Sequence, residues 1–337
     1  MIDKAAAIGG GVIGGGWVAR FALNGIDVAV FDPASDAENV VGEILANAER
    51  AYRRLTDAPL PEKGSVTFCA SLEEAVAGAD WVQESVPERL DLKHEVLGSI
   101  GRAAGPDTLI GSSTSGFRPS VLAEAFGSGQ AASGFFVAHP YNPVYLLPGV
   151  ELVAGEKTAP EAIEKARTAL AAIGMKGLLV RREIDAFIGD RLLEALWREA
   201  LWLIKDGVCD TETLDDVIRY SFGLRFAQMG IFETYRIAGG RAGMAHFLAQ
   251  FGPALKWPWT HLTDVPDLDE ALVGRIAEQS DAQARGRSVR QLEAIRDDNL
   301  TAILNALKGA EDGAGWGAGA LLQAYEAGLR AGRKDVP

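Results

Sequence analysis

Cysteine and histidine are scarce in this sequence, at two and four residues of 337. The two cysteines, Cys69 and Cys209, fall in different predicted domains. Their number and spacing fit neither a disulfide framework nor a zinc site, so no metal centre is expected and a reducing compartment is the simpler setting. Cations are short as well: 33 Lys plus Arg stand against 46 Asp plus Glu, a net charge of -13. A chain that acidic repels phosphate backbones and anionic bilayers, which argues against nucleic acid and membrane surfaces as partners. No apolar run reaches the roughly 20 residues of a membrane-spanning helix. No signal-peptide pattern precedes the first strand, so the expected location is the cytoplasm.

What is present is ordinary globular material, 48% hydrophobic, and long enough for two domains. Lys4–Ile8, Asp27–Phe31, Val66–Cys69, Trp81–Glu84 and Leu109–Ser112 read as short strands. Helical patterns at Gly14–Asn24, Leu72–Ala77 and Arg89–Ala103 separate them, and this βαβ rhythm predicts a parallel, doubly wound sheet. Phe135–Ala138, Val150–Ala154 and Gly177–Val180 extend the sheet, with a helix from Pro160 to Gly174. The character changes near Asp185. Phe187, Ile188, Leu192, Leu193, Leu196, Trp197, Leu201 and Ile204 recur at helical spacing, and almost no period-2 alternation follows. The expectation is an α/β chain: a doubly wound sheet domain over residues 1–184 and an all-α domain over residues 185–337. The helix predicted from Asp185 to Asp206 is apolar around much of its girth, more than a small domain can bury, which suggests self-association.

Two constellations carry chemistry. The first is Gly9-Gly10-Gly11-Val12-Ile13-Gly14, a GxGxxG pattern that follows a predicted strand and opens a predicted helix. The first glycine permits a tight turn, the second a close approach of pyrophosphate to backbone, the third close packing of helix on strand. The helix N-terminus then offers N–H groups and a positive dipole end to phosphates. Asp32 ends the next strand, where a carboxylate can take ribose hydroxyls; it would repel a 2′-phosphate and no Arg follows it, so NAD is favoured over NADP. The second constellation is His139-Pro140-Tyr141-Asn142-Pro143, with Glu151 beginning the following strand. Of His94, His139, His246 and His261, only His139 sits at a predicted strand end in the sheet domain. Alcohol oxidation needs a base near neutral pH, and a carboxylate to orient it; Glu151 serves if the 140–150 loop folds back as a hairpin.

These residues, with Glu88…Lys93, Ser112-Ser113-Thr114-Ser115 and Asp190-Arg191-Leu192-Leu193, resemble the 3-hydroxyacyl-CoA dehydrogenase superfamily over nearly the whole chain. The resemblance implies a Rossmann-type NAD domain, a helical domain that binds substrate and forms a homodimer, and roles residue by residue. His139 looks like the catalytic base, Glu151 its partner, and Ser115 the serine that hydrogen-bonds the reacting oxygen. Glu88 and Lys93 look like residues flanking the nicotinamide ribose; Ser113 and Asn142 join them on the cofactor. The chain also departs from the acyl-CoA enzymes. Asp190 stands where the family has Asn, and an ionised carboxylate cannot donate the amide's hydrogen bond. Pro140 replaces an aromatic residue. The stretch from Asp32 to Ser71 is shorter than the family's CoA-binding arm, with Arg50, Arg53, Arg54 and Lys63 as its cations, which disfavours a long acyl-CoA.

The resemblance therefore implies a small 3-hydroxy acid as substrate, L-carnitine first, with L-gulonate or another small 3-hydroxy acid as the alternative. A protein that only binds NAD is a third reading. Carnitine's trimethylammonium group cannot hydrogen-bond, and proteins hold such cations with aromatic faces, often beside a carboxylate. Tyr141, Phe232 and Trp257 are the aromatic candidates here, and Asp190, Glu194 or Glu233 the carboxylate.

Overall fold

The computed structural model describes residues 2–127, 129–227, 230–238, 247–249, 260, 267, 269–310 and 317–331. His246, Trp257 and His261, named above, lie outside them. Eight strands, β1 (Lys4–Ile8), β2 (Asp27–Phe31), β3 (Val66–Phe68), β4 (Trp81–Glu84), β5 (Leu109–Ser112), β6 (Phe135–Pro140), β7 (Gly149–Ala154) and β8 (Lys176–Val180), form one sheet in the order β3-β2-β1-β4-β5-β6-β7-β8. All neighbours are parallel except β6 and β7. The order 3-2-1-4-5-6 is that of a dinucleotide-binding Rossmann sheet.

The centre of the sheet is covered on both faces, which explains its composition. Ala5, Ala6 and Ala7 of β1 are fully buried, small enough for helices to approach from either side. On one face α1 (Val12–Leu23) lays Trp17 and Phe21 against Trp81 and Phe136, with ring centroids 5.4 to 6.3 Å apart. On the other, α3 (Leu72–Val76) and α4 (Leu90–Ala103) pack Leu72, Val76, Leu97 and Ile100 against Ile8, Val82 and Ile110. α2 (Ala37–Leu55) lies in a stretch to which the sequence reading assigned no element. Its pattern was there to be found: Val41, Ala48, Tyr52 and Leu55 recur at helical spacing and are all buried. α5 (Pro119–Leu122) is one short turn, and α6 (Pro160–Ala172) begins on proline as the sequence implies.

The predicted long helix starts later than Asp185. Ala186 and Phe187 have φ of 58° and 48°, a left-handed backbone that cannot continue a helix, and α7 runs Gly189–Lys205. Phe187 accordingly belongs to the sheet's core, fully buried with Val137, Val153 and Val180.

Two compact units emerge: Met1–Asp190 together with Asp297–Pro337, and Arg191–Arg296. The sequence reading kept everything after residue 185 in one helical domain. The last helices join the sheet unit because they complete its buried polar and apolar contacts. Tyr145 Oη donates to Asp297 Oδ2 (2.6 Å), Tyr325 Oη donates to Asn24 Oδ1 (2.8 Å), and Leu304 and Leu322 pack with Leu23, Tyr52 and Leu146. The second unit is helical. Asp210 caps helix Thr211–Val217 by accepting from Thr213 N–H (2.7 Å), and Asp269 caps helix Glu270–Ala284 through Leu272 N–H (2.8 Å). Among the described residues no helix is long and apolar enough to cross a membrane.

Candidate active site

β1, β4, β5 and β6 run parallel, so Ile8, Glu84, Ser112 and His139-Pro140 all emerge at one edge of the sheet. Open α/β sheets bind ligands at this carboxyl edge. At β1 the chain turns through Gly9, whose φ of 98° favours glycine and where a Cβ would lie 2.7 Å from Ser85 O. A Cβ on Gly14 would sit 1.8 Å from Gly9 O, so this glycine lets α1 press against the turn. Gly11 is different: a Cβ there meets nothing within 4 Å. The protein itself has no steric need of glycine at this position, and the open space beside it suits a pyrophosphate approaching the backbone. Gly11 also brings no side chain to cap α1, and Val12 next to it is exposed, so the start of α1 faces outward. Asp32 Oδ2 accepts from Gly10 N–H (2.6 Å), which fixes the carboxylate beside the turn. The residues present thus fit a dinucleotide with free ribose hydroxyls.

His139 and Glu151 face each other as register partners across the antiparallel β6–β7 pair. The predicted hairpin exists, and because paired residues point to the same face, the two side chains meet: Nδ1 and Glu151 Oε2 are 2.9 Å apart. Glu151 is nearly saturated with donors. Oε2 also accepts from Tyr141 Oη (2.9 Å), while Oε1 accepts from the N–H groups of Ile188 (3.0 Å) and Gly189 (3.1 Å) at the start of α7. Burial opposes the charge of Glu151, but the hydrogen bonds from His139, Tyr141, Gly189 and Ile188 outweigh it and hold the carboxyl below its ordinary range. Burial, followed by the negative charge of Glu151 next to it, pushes the Tyr141 phenol well up, so it stays a proton donor. With Nδ1–H committed to the carboxylate, Nε2 is left as the basic nitrogen. Asp190 Oδ1 lies 3.9 Å from Nε2, and the rings of Tyr141 and Phe187 flank the imidazole at 5.1 and 5.7 Å.

The remaining expected residues gather at the same edge. Glu88 accepts from the Thr114 hydroxyl and from Gly116 N–H (3.0 Å), which holds the Ser115 turn. Lys93 is 1% exposed; Nζ lies 2.8 Å from Glu84 Oε1 and 3.3 Å from Glu88 Oε2, so its charge is answered by two carboxylates. Ser113 Oγ is tied to Gln83 Nε2 (2.8 Å), Ser85 Oγ (2.9 Å) and Trp17 Nε1 (3.2 Å). Asn142 is exposed. Glu84 was missed by sequence reasoning; Ser112, quoted there only within the serine run and given no role of its own, donates its hydroxyl to Glu84 Oε2 (2.5 Å). The signal was a carboxylate closing a strand that lies inside the sheet, where a buried charge requires a partner. Of the residues expected to hold a cation, Tyr141 spends its hydroxyl on Glu151, and Phe232, in the other unit, is exposed.

Both parts of the chain match models of one known family. Residues 4–184 match the NAD binding domain of 3-hydroxyacyl-CoA dehydrogenase, and residues 187–270 match its C-terminal domain. The chain is 67% identical over 325 residues to an L-carnitine dehydrogenase/betainyl-CoA thioesterase of Rhizobium meliloti (strain 1021), covering 96% of this chain and 65% of that protein. It is 59% identical over 325 residues to an L-carnitine dehydrogenase of Mesorhizobium japonicum, covering 96% of this chain and 89% of the relative. Among solved structures it resembles an FHMPC 5-dehydrogenase, described as an NAD+ dependent dismutase, with a TM-score of 0.75 and 29% identity over 92% of this chain and 100% of that one.

Proposed function

The chain belongs to the 3-hydroxyacyl-CoA dehydrogenase family, and on that premise we propose that it oxidises the 3-hydroxyl of L-carnitine to 3-dehydrocarnitine with NAD. The observation that carries the reading is the His139–Glu151 pair, 2.9 Å apart at the carboxyl edge of the sheet that also bears the glycine turn. NAD, when bound, supplies the hydride acceptor. Its pyrophosphate is held by the Gly9–Gly14 turn, including the N–H groups of Val12 and Ile13, and its ribose hydroxyls by Asp32. Glu88, Ser113 and Asn142 serve the nicotinamide end, with Lys93 fixing Glu88. His139 Nε2 takes the hydroxyl proton. Glu151 holds the imidazole in the required tautomer and stabilises the imidazolium that results. Ser115 steadies the oxygen as it becomes a carbonyl.

The substrate follows from charge. Asp190, beside His139 Nε2, supplies negative potential for a trimethylammonium group, and the Tyr141 ring next to the imidazole supplies an aromatic face. Coenzyme A is a poor match. Arg54 and Lys63 are already paired with Asp298 and Glu49, and Arg50 lies 3.8 Å from Asp297, so of the stretch's four cations these carboxylates leave Arg53 for its phosphates. The names carried by the relatives support carnitine as well. The same reading makes the protein a cytoplasmic homodimer, supported by the exposed Leu192, Leu193, Leu196 and Trp197.

The test is NADH absorbance with L-carnitine, D-carnitine, L-gulonate and a short 3-hydroxyacyl-CoA offered separately. Turnover of L-carnitine alone is expected; turnover of another compound in its place overturns the substrate, and none with any favours a protein that only binds NAD. His139→Ala should lower kcat by at least about 100-fold while calorimetry shows NAD binding unchanged.

A further inference from the structure

Glu151 has two oxygens, and an ionised carboxylate offers about four lone-pair sites. Four donors occupy them: two backbone N–H groups on Oε1, and His139 Nδ1 with Tyr141 Oη on Oε2. The carboxylate cannot rotate toward or away from the imidazole without giving up a hydrogen bond. Three of the four donors come from the imidazole and from backbone. The fourth is a side-chain hydroxyl that nothing above gives a part in the chemistry.

We infer that Tyr141 is a positioning residue of the proton-transfer site, its hydroxyl pinning the Glu151 oxygen that orients His139. This deepens the dehydrogenase reading and rests on it. The geometry is specific to a hydroxyl in this place. The rings of Tyr141 and His139 are tilted at 57° with 5.1 Å between centroids, and the phenol reaches the oxygen that the imidazole also holds, 2.9 Å away. The start of α7 makes room for it. A Cβ on Gly189 would fall 1.7 Å from Tyr141 Oη and 2.7 Å from the ring carbon bearing it, so any side chain at 189 displaces the hydroxyl. Gly189 thus contributes twice, by its N–H to Oε1 and by leaving space for the donor to Oε2.

The physical effect has a sign. An oxygen that accepts from two donors shares its charge between them. Without the phenol, Glu151 devotes more of its charge to the imidazolium, which holds its proton more tightly. The oxidation needs the imidazole unprotonated, so the acidic limb of kcat/KM moves to higher pH. The titratable and charged groups facing the imidazole are Glu151 on β7, Asp190 on α7 and Tyr141 itself, and only the last is changed in the test.

The experiment compares wild type, Tyr141→Phe and Gly189→Ala with L-carnitine and NAD across the pH range. In both variants kcat is expected to fall by about three- to ten-fold, with the acidic limb displaced upward by a few tenths of a pH unit and KM for NAD unchanged. A merely structural tyrosine would lower thermal stability without moving the limb. Either variant retaining the wild-type kcat and limb overturns the positioning role. A wild-type enzyme that does not oxidise L-carnitine overturns the dehydrogenase reading instead, so the two failures are distinguishable.

Discussion

Trp81 and Trp197 show how differently the two units treat the same side chain. Trp81 is fully buried in the sheet unit, edge-on to Phe136, with its indole N–H on Gln83 Oε1 (2.9 Å). Trp197, on α7 in the helical unit, is 55% exposed, and Leu192, Leu193 and Leu196 on the same helix are also more than half exposed. The sheet unit encloses its large aromatic residues Trp17, Phe21, Trp81, Phe135 and Phe136 within one chain. The described part of the helical unit turns many of its own outward. Helical periodicity reveals that a face is apolar; it does not reveal what that face meets.

The contrast can be broken by substitution. Trp81→Ala should destabilise the protein by about 3–5 kcal/mol, read by urea unfolding, because the cavity forms among rings that cannot close in. A loss under about 1 kcal/mol would mean that the sheet unit's core is looser than its burial indicates. Lys93→Ala should cost about 3 kcal/mol by leaving Glu84 buried without its cation, and it should weaken NAD binding only through Glu88. A fully stable variant would make the buried pair dispensable.

Acid sharpens the comparison further. Glu151 is held below the ordinary carboxylate range, so its contribution to stability is fully present above the unfolded-state value of about 4.3. That contribution disappears as pH falls through the lower folded value. Below about pH 4.5 Glu151→Gln should therefore lose stability less steeply than wild type, as measured by urea midpoints at successive pH. Parallel curves would show that the hydrogen bonds to Glu151 do not bias its ionisation. The smallest effect belongs to Trp197→Ala, expected to change monomer stability by no more than about 0.5 kcal/mol. A large loss would place Trp197 in an interface that the isolated chain leaves open.

The sequence made the sheet legible because its strands are short, apolar and punctuated by glycine, and all eight are legible to within one residue at their starts. It also made the glycine turn legible, since Gly9 and Gly14 answer to backbone sterics alone. The pairing of His139 with Glu151 was legible only as a condition, that the intervening loop fold back. What escaped were features that depend on contacts distant in sequence. Glu84 and Lys93 are nine positions apart and meet because a helix returns along a strand end. Tyr145 and Asp297, 152 positions apart, draw the final helices into the sheet unit, and no periodicity announces such a return. The helix Ala37–Leu55 is a different case, because its apolar residues recur at plain helical spacing in the sequence itself.

The alignment of β6 with β7 gives the His139–Glu151 pair an unusual vulnerability. Imidazole and carboxylate are brought together by hairpin pairing, with His139 opposite Glu151 and Pro140 opposite Val150. Shifting one strand past the other by a single position would turn the carboxylate to the opposite side of the sheet while leaving the ladder intact. An insertion within either strand would therefore part His139 from Glu151, and the buried loop residues Val144, Tyr145 and Leu146 leave little slack to restore the phase.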